Sequence, residues 1–235
     1  MAGDKVLVLG ATGPAGIVLL RELLHRKHAT IAYVRTPSKI PQDLEDDPLL
    51  EVVQGTMEDT ASLSAVIATA YIIVSFLGPN DMRSPMPYPG YYSLMFPLMR
   101  EHGVKRILAM CTPSVAESND NFNLLVNIFI RRIFKLLAPG AYQCMQNVAR
   151  VFRDEAQGLD WTLFRITAIP GESDADSWKR DREHSTYVGY VGDKDWKYWT
   201  NRSGLARWLV DTVEQGQGKW VGKLPAVSDR TTSRK

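Results

Sequence analysis

The chain has 235 residues, of which 45% are hydrophobic and 23% charged, values typical of a soluble globular protein with one large domain. A net charge of +2 is too small to favour nucleic acid as a partner. Two cysteines, Cys111 and Cys144, without a C-x-x-C pair argue against a disulfide framework or a zinc site and fit a reducing compartment. With no signal-peptide pattern and no uncharged run of about 20 residues, we expect a cytoplasmic protein without a transmembrane segment.

Strand and helix patterns alternate through the first 170 residues. The apolar run KVLVL predicts a buried strand, and the helix predicted over 14–26 has one apolar face, with Arg21, Glu22 and Arg26 expected to face water. A later helix begins after Asp59 or Thr60 as its N-cap. This alternation predicts an α/β fold with a doubly wound parallel sheet. Further strands are predicted at 30–34, 51–54, 71–77, 105–110 and 160–166, and further helices at 141–157 and 203–215.

The pattern changes after Pro170, where many charges and several aromatic residues follow one another without a clean period. We therefore predict a cofactor-binding domain over 1–170 and a small substrate-binding lobe, packed on it, over 171–227. The polar residues 228–235 are expected to form a flexible tail.

Three glycines separate the first strand from the first helix. Gly10, Gly13 and Gly16 have the spacing that lets a chain turn tightly, approach a pyrophosphate and pack a helix on a strand. A turn of small residues without a ligand is the alternative. The strand–turn–helix–strand context favours a dinucleotide, whose phosphates would lie at the helix N-terminus.

The end of the second strand bears on the choice of cofactor. An NAD site places Asp or Glu there, on the ribose 2′-hydroxyl, but this chain has Arg35, followed by Lys39. Both cations suit a 2′-phosphate, and we expect no nearby carboxylate to reject it. The sequence thus predicts NADP(H), with a solvated basic loop as the alternative.

Four stretches carry a family resemblance: VLVLGATGPAG, YVRTPSK, VSFLGP and RILAMCTPS. They resemble the NmrA-like, atypical short-chain dehydrogenase/reductase family. GLDWTLFRITAIPG, YVGYVGDKDW, LARWLVD and WVGKLPAVS are similar to a fungal subgroup of averufin-oxidase-type oxidoreductases of polyketide pathways. The chain also resembles, more distantly, flavin/biliverdin reductase B. The resemblance implies a Rossmann fold, NADP(H), and a substrate over the carboxyl ends of the strands.

Two positions depart from the family pattern. Short-chain dehydrogenases usually carry Tyr-x-x-x-Lys, whereas Tyr142 is followed by Gln146, which cannot lower a phenol pKa by its charge. Related proteins often place Asp near the adenine after the third strand, where this chain has Thr56, followed by Met57. The departures leave cofactor binding expected and an ordinary alcohol dehydrogenation mechanism in doubt.

The candidate site residues follow from the strand ends and the resemblance. Ser114 is the predicted hydroxyl donor to a substrate carbonyl, with capping of the next turn as the alternative. Tyr142 is a second candidate, as a neutral proton donor or a core tyrosine. Cys111 is expected to be a packed thiol rather than a nucleophile, and no metal ligands are predicted. The predicted cofactor contacts are Gly10, Thr12, Gly13, Pro14, Ala15, Gly16, Ile17, Arg35, Lys39, Thr56, Met57, Leu77, Gly78 and Thr112.

Residues 123–137, NLLVNIFIRRIFKLL, are apolar around most of a helix. A lid over an apolar substrate, a homodimer surface, a membrane-interface helix and a core helix all remain open. Prolines 85, 87 and 89 precede Tyr91 and Tyr92, which are candidates for a pocket wall. Both segments suggest an apolar, aromatic substrate.

The leading hypothesis is an NADPH-dependent oxidoreductase that acts on an aromatic or polyketide-like small molecule in secondary metabolism. A non-redox isomerase, dehydratase or cyclase on the same scaffold is an alternative. An NADP-sensing regulatory protein, as NmrA itself is, is another, since fold alone does not determine function.

Overall fold

The computed structural model describes residues 3–78, 86–124, 126, 128, 132, 134–216 and 218–230. These residues form a sheet of eight strands in the order β3-β2-β1-β4-β5-β6-β8-β7, in which only β7 runs antiparallel to its neighbour. The strands are β1 (Lys5–Leu9), β2 (Thr30–Val34), β3 (Leu50–Gln54), β4 (Ala70–Ser75), β5 (Arg106–Cys111), β6 (Asp160–Arg165), β7 (Thr186–Gly189) and β8 (Ala226–Asp229).

Helices cover both faces of this sheet, which confirms the predicted doubly wound α/β fold. α1, α2, α7 and α8 pack on one face, and α3, α4 and α6 pack on the other. The helices are α1 (Pro14–His25), α2 (Gln42–Glu45), α3 (Thr60–Ala68), α4 (Tyr88–Glu101), α5 (Phe134–Leu137), α6 (Pro139–Glu155), α7 (Ala175–Asp181) and α8 (Arg202–Glu214).

The local signals around the first strands place the elements correctly. β1 and β2 are almost wholly buried, as their continuous apolar sequences predict. Of the two N-cap candidates for α3, the structure selects Asp59, whose carboxylate accepts a hydrogen bond from the Ser62 N–H at 3.0 Å.

The polar face of α1 is not turned to water, so that prediction is wrong. Glu22 is fully buried and accepts hydrogen bonds from Trp178 Nε1 at 3.0 Å and Arg182 Nη2 at 2.9 Å, both from the α7 region. Arg21 is also buried and pairs with Asp43. α7 and α8 cover the outer side of α1, so its charged residues need partners there.

The C-terminal segment extends the main sheet. β8 lies between β6 and β7, and α8 packs along α1. The tail predicted from Ser228 begins too early, because Ser228 is fully buried within β8 and donates its hydroxyl to the Asp229 carbonyl. Residues 231–235 lie outside the described part of the chain.

The predicted apolar helix over 123–137 falls partly on residues outside the described set, at 125, 127, 129–131 and 133. Val126 is buried, but Leu124, Leu136 and Leu137 are exposed. None of the helices in the described ranges is long and apolar enough to cross a membrane.

Candidate functional site

A cleft of about 480 Å³ opens at the carboxyl ends of the parallel strands. It lies where the strand order turns from β1-β2-β3 to β4-β5-β6, the position at which open α/β sheets bind their ligands. Its walls are formed by 9–16, 33–35, 55–58, 76–78, 86–88 and by Tyr91, Met110, Ile169 and Arg202.

The glycine loop between β1 and α1 forms the centre of the cleft. Gly10 has φ +76°, a left-handed backbone that glycine adopts without strain. A Cβ at Gly16 would lie 2.3 Å from the Gly10 carbonyl oxygen, so only glycine allows this close approach. No side chain caps α1 at Gly13, which leaves first-turn N–H groups facing the cleft. This cradle fits a pyrophosphate.

Arg35 lies at the end of the cleft formed by the loops after β2 and β3. Its side chain is exposed and lines the cleft, as an arginine that reads a 2′-phosphate must. Lys39 lies on a 3₁₀ turn, Pro37–Lys39, and is exposed without lining the cleft. The structure therefore brings only the first of the two predicted cations to the site.

Glu58 stands on the same end of the cleft and corrects the statement that no carboxylate is near Arg35. Tyr91 on α4 donates its hydroxyl to the Glu58 carboxylate. That hydrogen bond, together with attraction to Arg35, holds the pKa of Glu58 below its usual value. Burial and the same carboxylate raise the pKa of Tyr91 to about 12, so the phenol stays protonated.

The backbone after β3 forms the floor beside these groups. Tyr33 donates its hydroxyl to the Thr56 carbonyl at 2.8 Å, and a Cβ at Gly55 would lie 2.2 Å from that hydroxyl oxygen. Met57 is buried against this floor. Thr56 and Met57 both line the cleft, as the sequence predicts.

The other end of the cleft is apolar. Phe76, Leu77 and Gly78 follow β4, and Met110 and Ile169 face them from β5 and from the chain after β6. Tyr91 lines the cleft, but Tyr92 is fully buried and shares a hydrogen bond with Ser75 at 2.8 Å, so only one of this tyrosine pair forms a wall. Pro85 lies outside the described residues.

Both predicted catalytic hydroxyls lie away from the cleft. Ser114 is 2% exposed and its hydroxyl is 2.6 Å from that of Thr112. Tyr142 is half-buried, with the Lys135 ammonium 5.7 Å from its ring centre. Gln146 donates to the Ser114 carbonyl at 2.9 Å, so the residue in the usual lysine position braces the loop after β5.

Cys111 is the packed thiol that we expect from its place at the strand end. It is fully buried, and burial raises its pKa to about 11, so it carries no nucleophilic thiolate at neutral pH. Within the described ranges, no three His, Cys, Asp or Glu side chains come close enough together to hold a metal ion.

Arg202, at the start of α8, is a lining residue that the sequence analysis missed. It donates to the Ile169 carbonyl at 2.8 Å and to the Gly171 carbonyl, and so fixes the chain after β6 against the cleft. Burial lowers the pKa of its guanidinium. The only local signal for Arg202 was the helix start predicted at 203, because the two carbonyls that its guanidinium contacts lie more than 30 residues away in the sequence.

All predicted cofactor residues except Ile17, Lys39 and Thr112 line this one cleft. Ile17 points from α1 into the core. The fold and the glycine cradle define a dinucleotide-binding α/β protein of the Rossmann type.

The sequence profile of an NAD(P)H-binding family matches residues 10–215. The chain belongs to this family, and the prediction of a nicotinamide dinucleotide as cofactor is confirmed.

Solved structures share the fold over nearly the whole chain. A wide-type short-chain dehydrogenase/reductase from Veillonella parvula, solved in complex with NADP, is 16% identical with a TM-score of 0.74, covering 96% of this chain and 94% of that chain. An oxidoreductase from Lactococcus lactis is 16% identical with a TM-score of 0.70, covering 97% and 92%. A proposed NAD-dependent epimerase/dehydratase from Bacillus halodurans is 17% identical with a TM-score of 0.68, covering 98% and 96%.

Proposed function

We propose that this chain is an NADPH-dependent oxidoreductase acting on an aromatic or polyketide-like small molecule. One observation carries the proposal: a single cleft joins the glycine cradle to Arg35 at one end and to an apolar wall at the other. The cradle suits the pyrophosphate and Arg35 suits the 2′-phosphate. The apolar end then receives the nicotinamide and the substrate.

The apolar end supports the substrate class. Phe76, Leu77 and Met110 offer surface for a flat apolar ring. Arg202 lines the cleft beside Ile169, but its guanidinium is engaged by the Ile169 and Gly171 carbonyls. The resemblance to fungal polyketide oxidoreductases points to the same class and to secondary metabolism. We further propose a cytoplasmic location, no nucleic-acid partner, and a homodimer formed through a surface other than the apolar residues of 122–137.

The chemistry places few demands on this chain's own side chains. When bound, NADPH supplies a hydride to an acceptor carbon. The cleft orients the acceptor and excludes most of the water around it. Because Ser114 and Tyr142 do not line the cleft, we assign the proton to a water molecule.

A second candidate is a dinucleotide-binding protein without redox turnover, either a non-redox enzyme or an NADP sensor. The replacement of the usual lysine by Gln146, which braces a loop, favours it. A screen of quinones and polyketide ketones for NADPH oxidation separates the two candidates. Tight NADPH binding with no oxidation of the cofactor by any acceptor would favour the second.

Replacing Arg35 with alanine tests the 2′-phosphate contact. We expect Arg35→Ala to weaken NADPH binding by about tenfold to a hundredfold, because one charge-assisted pair is worth roughly 1.5–3 kcal/mol, and to leave NADH binding nearly unchanged. Calorimetric titration with both nucleotides measures the change. Lys39→Ala is the matched control and should have a small effect, because Lys39 does not line the cleft. Equal losses for NADPH and NADH would contradict the assignment.

Replacing Glu58 with glutamine tests the opposing charge. Its carboxylate is ionised at neutral pH and lies beside Arg35, so it repels a 2′-phosphate. We expect Glu58→Gln to tighten NADPH binding several-fold and to change NADH binding less. Glu45→Gln, on α2 outside the cleft, makes the same change in net charge and should not alter the ratio of the two affinities. Weaker NADPH binding in Glu58→Gln would show that the carboxylate holds the nucleotide instead.

A further inference from the structure

Large apolar side chains are exposed on one segment between β5 and α6. Phe122 is 80% exposed, Leu136 80% and Leu137 78%, with Leu124 and Ile128 also exposed. Across the described ranges, Trp199 is the one exposed large apolar residue outside this segment. Exposed apolar side chains gathered in one place mark a surface that contacts something other than water.

The charge of the same segment is one-sided. No acidic residue occurs from 121 to 153, although that stretch contains five arginines and lysines. Arg132 and Lys135 stand among the apolar residues and are exposed. The chain as a whole has a net charge of only +2, so this is a local concentration of positive charge.

The exposed apolar and basic residues among the described part of 122–137 are here called the basic apolar patch, and they precede α6, a helix that contacts the cleft wall. They are Phe122, Leu124, Ile128, Arg132, Lys135, Leu136 and Leu137. α5 leads directly into α6. On α6, the Cys144 Sγ atom is 3.9 Å from the carbonyl oxygen of Met86, which lines the cleft. The patch is therefore joined to a wall of the cleft through α6.

From these observations we infer that the basic apolar patch docks on an anionic membrane surface. Leu124, Leu136, Leu137 and Phe122 enter the boundary of the acyl chains, while Arg132 and Lys135 pair with lipid headgroups. Docking in this way brings the start of α6, the helix that contacts the cleft wall, to the bilayer, where apolar molecules concentrate. The inference does not depend on the proposed redox activity.

A second copy of the chain fits the patch less well. A two-fold dimer brings the same patch of both copies together, so Arg132 and Lys135 of one copy would meet those of the other. The segment supplies no carboxylate to separate them. Like charges brought together in this way oppose association, whereas an anionic lipid surface attracts the same two cations.

Co-sedimentation with vesicles tests the inference. We expect the full-length protein to bind vesicles of phosphatidylcholine with phosphatidylglycerol, and to bind vesicles of phosphatidylcholine alone much less. Leu136→Ser with Leu137→Ser should lower the partition coefficient about tenfold or more, because both side chains leave water on docking. Neither residue lines the cleft, so NADPH binding and the thermal unfolding midpoint should be unchanged and report intact folding.

Two charge variants complete the experiment. Lys135→Glu should weaken binding to the anionic vesicles several-fold. Lys105→Glu, beside the amino end of β5 at the opposite edge of the sheet, makes the same charge change and should have little effect. Equal losses in both variants, or no binding of the wild type at low salt, would overturn the inference. So would light scattering that shows a dimer which the serine substitutions convert to a monomer.

Discussion

Gly16→Ala is expected to weaken NADPH binding by roughly a hundredfold or more, which corresponds to about 3 kcal/mol. The new Cβ would lie 2.3 Å from the Gly10 carbonyl oxygen and 2.7 Å from the Ala11 Cα atom. Both neighbours are backbone atoms, so relief requires that α1 and the loop move apart. The N–H groups at the start of α1 are then no longer placed to donate hydrogen bonds to the pyrophosphate. Calorimetric titration with NADPH measures the loss.

Gly90→Ala is the matched control for this substitution. Gly90 lies in the first turn of α4, beside the cleft wall, and a Cβ there meets no atom within 4 Å. Alanine is the better helix former by up to about 1 kcal/mol, so we expect unchanged NADPH binding and equal or greater stability. If Gly16→Ala bound NADPH as tightly as Gly90→Ala, the glycine loop would be a turn and not a cradle.

The cradle was predictable because its signals are local. A buried strand, three spaced glycines and an apolar helix face lie within one short stretch of chain, and each acts through its immediate neighbours. The N-cap at Asp59 was predictable for the same reason. Where sequence neighbours decide the conformation, the expected and observed elements agree.

The errors arise where partners are distant in sequence. Glu22 is buried against Trp178 and Arg182, and both of these residues lie more than 150 residues further along the chain. Glu58 approaches Arg35 because β2 and β3 are neighbours in the sheet. The predicted order of strands implies this placement, but the separation of the two residues in the sequence does not show it. Ser114 follows a strand that ends at the cleft, yet its hydroxyl turns to Thr112. The position of a residue after a strand therefore predicts which end of the sheet it lies at, but it does not predict the direction in which its side chain points.

Arg165→Met is expected to lower the free energy of unfolding by about 3–5 kcal/mol. The Arg165 side chain is wholly buried in β6 and makes two hydrogen bonds of 2.7 Å to the Asp120 carboxylate. It also donates to the Leu224 carbonyl at 2.8 Å and the Val115 carbonyl at 3.0 Å. Methionine fills similar space but leaves the buried Asp120 charge without its guanidinium partner. Urea denaturation measures the loss.

Arg180→Met is the surface control, because the Arg180 side chain is exposed and its pair with Asp181 is expected to contribute little to stability. The pH dependence separates a lost charge pair from lost packing. Burial alone would raise the pKa of Asp120, but the Arg165 hydrogen bonds and charge hold it below its usual value. In the wild type this stabilisation is present above about pH 4 and is lost as the pH falls through the lowered pKa. In Arg165→Met the hydrogen bonds from the Glu117 and Val191 N–H groups remain, but the guanidinium's hydrogen bonds and charge are lost. The Asp120 carboxyl therefore takes up a proton at a higher pH than in the wild type, and the penalty for burying its charge falls. The stability gap between the two proteins should therefore narrow from pH 7 towards pH 4, whereas a gap of constant size would assign the loss to packing.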